Sequence, residues 1–238
     1  MSKSDTQPQS YTPRDWDSMA GFIDSGYKST GKRGVSRNLL EINPDLAALT
    51  GPAFGAESVG ELDHDLTRNG RVNGEPLGER IIVTGQVLDE HGNPVPHTLV
   101  EVWQCNAAGR YVHKKDVHDA PLDPNFLGAG RCMTDAEGRY RFISIKPAAY
   151  PWGNHPNAWR PAHIHLSLFG PSISTRLVTQ MYFPDDPLLA FDPIYQSVPA
   201  GARERMVSRF SLDVTEEAWA LGYIFDIVLR GPSATPEA

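Results

Sequence analysis

From residue 80 onward the chain is a succession of short apolar and polar alternations separated by turn residues. RIIVTGQVLD at 80–89, HGNPVP at 91–96 and TLVEVWQCN at 98–106 read as strand, turn, strand. The turn is rich in Gly, Asn and Pro, and its flanks are rich in β-branched residues. RCMTD, AEG and RYRFISI give a second hairpin, in which Tyr140, Phe142 and Ser144 alternate with Arg139, Arg141 and Ile143. Such a period of two places successive side chains on opposite faces of a sheet. AHIHLSLFG, RLVTQMYF, SRFSLDV and YIFDIVLRG supply further strands. Near the end TEEAWALG predicts a short helix, capped by Thr215, favoured by two glutamates in its first turn and stopped by Gly222. Many short strands and few helices predict an all-β fold, an antiparallel β-sandwich.

Residues 1–79 lack this periodicity. Asn43-Pro44-Asp45, then LAALT and Gly51-Pro52, predicts one short helix with cap, first-turn proline and glycine stop. The rest reads as an irregular arm lying on the main body or on a partner, with residues 1–10 as a disordered tail. The expected division is an arm at 1–79 and a catalytic sandwich at 80–238, together one structural domain. No repeat or low-complexity tract occurs.

Composition narrows the function classes. The 238 residues carry a net charge of −7 and no basic cluster, a poor match to a phosphate backbone, so nucleic acid is not an expected partner. No apolar run is long enough to span a membrane, and the first ten residues are polar, without the apolar core of a signal peptide. A cytoplasmic protein is expected. Cys105 and Cys132 do not form a CxxC, so two buried thiols are expected rather than a disulfide.

Arg160-Pro161-Ala162-His163-Ile164-His165 is the sharpest local signal. On a strand, residues i and i+2 face the same side, roughly 6.5–7 Å apart, so both imidazoles can grip one metal ion. A solvated strand face gives the same pattern. With His113 or His118 as a third ligand the pair would suit zinc and hydrolysis. Tyr111 and Tyr150 sit in loops at strand ends, where functional groups are often displayed. A phenol with pKa about 10 becomes an anionic ligand at neutral pH only beside a strong Lewis acid, and two phenolates with two imidazoles suit ferric iron. Ring packing with a hydrogen-bonded hydroxyl is the alternative for each tyrosine.

The turns DEHGNPVP and DAEGRY resemble those of transthyretin-like (prealbumin-like) sandwiches, whose non-enzymatic binding modules are one alternative. The stretch GRYVHK, APLDPNFLGAGRCMTDAEGRYRFISIKPAAYPW and NAWRPAHIHLSLFG resembles the intradiol ring-cleaving dioxygenases over about residues 60–231. That resemblance implies a non-haem Fe(III) held by Tyr111, Tyr150, His163 and His165. It implies Arg160, Gln180 and Tyr150 as catalytic groups, and Tyr27, Trp103, Trp152 and Ile194 as substrate-pocket residues. Within the family the likeness is to ligand-bearing chains that pair with a homologous α chain in α–β protomers of a larger oligomer. The implied reaction is O₂-dependent cleavage of protocatechuate, with Tyr27, the α chain, Arg33 and Arg37 as candidates to meet the substrate carboxylate. Catechol and hydroxyquinol dioxygenases are the alternative within the family. Those relatives carry a helical N-terminal segment, and no long amphipathic helix occurs in residues 1–79.

Overall fold

The computed structural model describes residues 15–32, 34–37, 59–170 and 176–237. The predicted helix at 43–51, the tail at 1–10 and Arg33 lie outside them. Among the described residues eleven strands follow in chain order: β1 (Arg80–Leu88), β2 (Leu99–Trp103), β3 (Ala129–Met133), β4 (Arg139–Ile145), β5 (Tyr150–Pro151), β6 (Trp159–Arg160), β7 (His163–Phe169), β8 (Leu177–Tyr182), β9 (Arg209–Phe210), β10 (Leu221–Ile224) and β11 (Ile227–Val228). A short helix, α1 (Pro193–Gln196), and several 3-10 turns join them.

Two sheets face each other. The second has the order β3-β2-β7-β8 and is antiparallel throughout. The first is mixed: β1 pairs antiparallel with β4 but parallel with β10 and β11. At the break between β10 and β11 an Asp226 carboxylate oxygen accepts the Gln86 N–H at 2.9 Å, replacing a ladder bond. The core lies between the sheets, where Ile81, Val83 and Val87 of β1 and Phe142 of β4 meet Val100 and Val102 of β2 and Ile164, Leu166 and Leu168 of β7. Burying each such side chain fully contributes roughly 1.5–3 kcal/mol. Ile82 points away and packs with Ile143 and Ala220, which explains why β1 is apolar on both faces.

The predicted helix over 215–222 is instead a tight reversal. Glu216 and Ala220 form an antiparallel bridge and Ala218 takes φ of 55°. Thr215 Oγ1 accepts from Gly222 N–H at 2.9 Å and donates to the Ser211 carbonyl at 2.9 Å. The cap signal was real, but Leu221 is drawn into β10, and too few residues remain for a stable helix. Among the described residues no helix is long and apolar enough to cross a membrane. Cys105 and Cys132 are both buried and unbridged.

Candidate metal centre

The alternation that buries Ile164, Leu166 and Leu168 turns His163 and His165 to the opposite, outer face of β7. Register then sets their neighbours, because directly paired residues share a face. Trp103 and Gln180 flank His165 across the sheet, and Tyr182 flanks His163. Trp103 and His165 stack with ring centroids 4.8 Å apart and planes 1° from parallel.

A loop after β2 and the short strand β5 bring the tyrosines over this face. After β2, Asn106 Oδ1 accepts from the Ala108 and Arg110 N–H groups, and Asp116 Oδ2 accepts from Tyr111 N–H at 2.7 Å. Ala148 N–H donates to the Asn106 carbonyl at 3.2 Å, tying this loop to the segment that bears Tyr150. Gly109, at φ of 79°, makes the approach possible: a Cβ there would lie 2.6 Å from the Ala149 carbonyl oxygen.

The four aromatic rings form a closed circuit. Centroids are 5.3 Å apart from Tyr111 to Tyr150, 5.6 Å from Tyr150 to His163, 4.9 Å from His163 to His165, and 6.5 Å from His165 back to Tyr111. His163 Nδ1 lies 2.7 Å from the Pro161 carbonyl. A carbonyl only accepts, so Nδ1 carries the proton and Nε2 keeps its lone pair. Burial, then the nearby Arg160 charge, pushes His163 below its ordinary pKa and His165 down to about 3, so both rings stay neutral. Burial pushes the Tyr111 phenol up, and the neighbouring Tyr150 adds to it. Burial raises Tyr150 as well, against the opposing pull of Arg160. The Tyr111 hydroxyl is buried, and among the described residues it has no hydrogen-bond partner of normal geometry, with the Tyr150 phenol beside it. A buried polar atom left so costs free energy unless something else meets it. Two phenols that ionise only beside a cation, and two neutral imidazoles, fit a hard trivalent ion.

Arg160, on β6, is buried behind this circuit. Its Nη1 donates to His163 Nε2 at 3.0 Å, a contact that a metal on Nε2 would replace, and its Nη2 reaches Gln180 Oε1 at 2.7 Å and the Tyr182 hydroxyl at 3.0 Å. Asp192 takes the remaining edge, accepting from Nε at 3.3 Å and from Nη2 at 2.8 Å. Burial opposes the guanidinium charge, but Tyr182, Asp192 and Tyr150 together hold its pKa above the ordinary value. The guanidinium also lies 5.5 Å from the Trp152 ring centre.

A cleft of about 690 Å³ opens from the circuit, with Trp103, Tyr111, Tyr150 and Trp152 in its wall. Tyr27 packs against Trp152 at 5.6 Å. It is brought there because Lys28 N–H donates to Asn154 Oδ1 at 2.7 Å and Asn154 Nδ2 donates to the Gly26 carbonyl at 2.9 Å. Ile194 is buried at the start of α1 and is not among the side chains lining the cleft. Arg37 is exposed. His113 and His118, the candidate third zinc ligands, line the outer cleft instead, and His118 packs edge-on against Trp159. Among the described residues no three His, Cys, Asp or Glu side chains gather to hold a metal, which leaves the zinc alternative without its third ligand. Sequence reasoning missed Asp192. Its signal was the Asp-Pro pair, a cap followed by a first-turn proline, which begins α1.

The dioxygenase family model matches residues 49–231. This chain belongs to the intradiol ring-cleaving dioxygenases. The protocatechuate 3,4-dioxygenase β chain of Burkholderia cepacia is 68% identical over 96% of this chain and 97% of its own length. The α chain from the same organism is 29% identical, covering 66% of this chain and 76% of that one. The crystal structure of 3-chlorocatechol 1,2-dioxygenase from Rhodococcus opacus 1CP superposes with a TM-score of 0.55 at 23% identity, over 77% of this chain and 75% of that one. It shares the sandwich fold. Non-haem iron is the metal of intradiol dioxygenases, in keeping with the donor set around Tyr111.

Proposed function

We propose that this chain cleaves the ring of protocatechuate between its two hydroxylated carbons, using O₂ and Fe(III) and giving 3-carboxy-cis,cis-muconate. The observation that carries this reading is the closed circuit of two phenols and two neutral imidazoles, with the orphaned Tyr111 hydroxyl inside it. Tyr111, Tyr150, His163 and His165 would hold the iron, which when bound acts as a Lewis acid on the catechol oxygens and activates the ring toward O₂. The choice of protocatechuate, and of a homologous α chain as partner in α–β protomers, rests on the relative at 68% identity. The unbridged cysteines fit a cytoplasmic setting.

The protein's own groups have separable tasks. The Pro161 carbonyl fixes the His163 tautomer. With iron held there, Tyr150 would be a phenolate stabilised by the nearby Arg160 charge, and it would be the group to accept a catechol proton, while Tyr111 would keep holding the metal. A proton moved from catechol to Tyr150 would leave the charge of the centre nearly constant and avoid an uncompensated buried ion. Arg160 and Gln180 set a fixed cation beside the reacting ring, of a kind worth about 3–4 kcal/mol in a water-excluded site. Trp103 and Trp152 wall the cleft, Tyr27 packs against Trp152, and Ile194 is buried on α1.

Oxygen uptake by the iron-loaded chain, coexpressed with an α chain, tests the reading. The expected order is protocatechuate well ahead of catechol and hydroxyquinol. Faster turnover of catechol or hydroxyquinol contradicts the substrate assignment, and no uptake with any of them contradicts the reaction.

A further inference from the structure

We propose that Asp192 is a positioning residue for ring cleavage, clamping the Nε and Nη2 edge of Arg160 so that its Nη1 edge faces the metal centre. The proposal rests on the reading of Arg160 as the charge that serves the reacting ring.

A guanidinium has two long edges and several hydrogen-bonding orientations. The one that turns Nη1 toward the Tyr111, Tyr150, His163 and His165 circuit requires the other side to be held. Asp192 holds it with two oxygens, in the fork geometry that arginine and a carboxylate share. Both side chains are almost wholly sequestered, at 3% exposure for Arg160 and 0% for Asp192, so water does not compete for either. Nη2 meets three oxygens with only two N–H groups. Tyr182 resolves this, since its hydroxyl accepts from Nη2 and can pass its own proton to Asp192 at 3.0 Å or Gln180 at 3.2 Å. Asp192 is itself fixed by backbone. It begins α1, its Oδ1 lies 3.4 Å from the Ile194 N–H, and its own N–H donates to the Leu188 carbonyl at 3.0 Å. One carboxylate therefore sets both the orientation of Arg160 and the start of the turn that carries Ile194.

Wild type, R160L, D192N and the double variant, each coexpressed with an α chain and loaded with iron, are compared in kcat and KM for protocatechuate, iron content and tyrosinate-to-iron absorption. The expected D192N enzyme keeps wild-type iron and absorption and a KM within about threefold, while kcat falls tenfold or more. In the R160L background the same substitution costs no further kcat, because the group it orients is already gone. D192E gives a second reading where D192N does not fold. Its carboxylate, displaced by one methylene, should lower kcat severalfold in the wild-type background and not in R160L. A kcat within twofold of wild type, an equal further loss in the R160L background, or a loss accounted for by missing iron overturns the proposal. Wild-type protein that consumes no O₂ with protocatechuate contradicts the functional reading instead, and does so without any substitution.

Discussion

Arg160 is a cation in a place where charge is costly, and its surroundings divide that cost. Asp192 balances it, Gln180 and Tyr182 complete its hydrogen bonds, and Trp152 covers a face. Removing one member of a buried pair typically costs about 3–5 kcal/mol, because the other is stranded. Arg160→Leu should therefore lower the melting temperature, and R160L/D192N should recover part of that loss. The R160L protein is expected to keep its iron and colour while kcat falls about 10²–10³-fold; turnover within threefold of wild type would remove Arg160 from the chemistry. At this scale the sequence was uneven. His163 and His165 were legible because a strand has a period of two and a pair two apart must share a face. The pairing of Asp192 with Arg160 was not, since the Asp-Pro pair signals only a helix start and an ion pair between residues 32 apart leaves no local pattern.

The elements matter through how closely their loops approach. Gly109 sits against Ala149 and Tyr150, and only a residue without a Cβ fits that contact at positive φ. Gly109→Ala should push the Tyr111 and Tyr150 loops apart and lower iron content well below one per chain. Metal analysis of the folded protein checks this, and full occupancy would show that the loops have slack. A second contact joins the segment before β1 to β3. Asp63 Oδ2 accepts from Arg131 Nε at 2.7 Å, and that hydrogen bond holds the Asp63 carboxyl below the usual carboxylate pKa. The unfolded chain thus binds the proton first as pH falls, so this contribution is present above pH 3.8 and is lost on acidification below it. The stability difference between wild type and Asp63→Asn should be full at pH 6 and shrink below pH 3.8. A difference that does not change with pH would contradict it. The strands were readable from alternation, while the reversal at 215–222 was not, because pairing of Leu221 with Ile81, far away in the chain, overrides a local helix signal.

Across the whole molecule, the sandwich serves as a platform whose outer face carries the circuit of Tyr111, Tyr150, His163 and His165 and whose inner face carries the apolar core. Its two-sheet character followed from many short alternating strands. The parallel pairing of β1 with the last strands did not, because register between ends of a chain is set by packing and not by turns. The described part of the arm reaches the cleft through Asn154, on the loop between β5 and β6. Each such hydrogen bond contributes about 0.5–1.5 kcal/mol. Asn154→Ala should loosen Tyr27 and raise KM for protocatechuate about fivefold or more, with kcat and iron content unchanged; an unaltered KM would place Tyr27 outside substrate binding.

The account turns on four side chains from three parts of the chain converging on one ion. A crystal structure of the iron-loaded chain measures this directly. It should show a single iron within bonding distance of the Tyr111 and Tyr150 oxygens and of one ring nitrogen from each of His163 and His165. Iron bound elsewhere, or bound at this site without both tyrosines, would contradict the account.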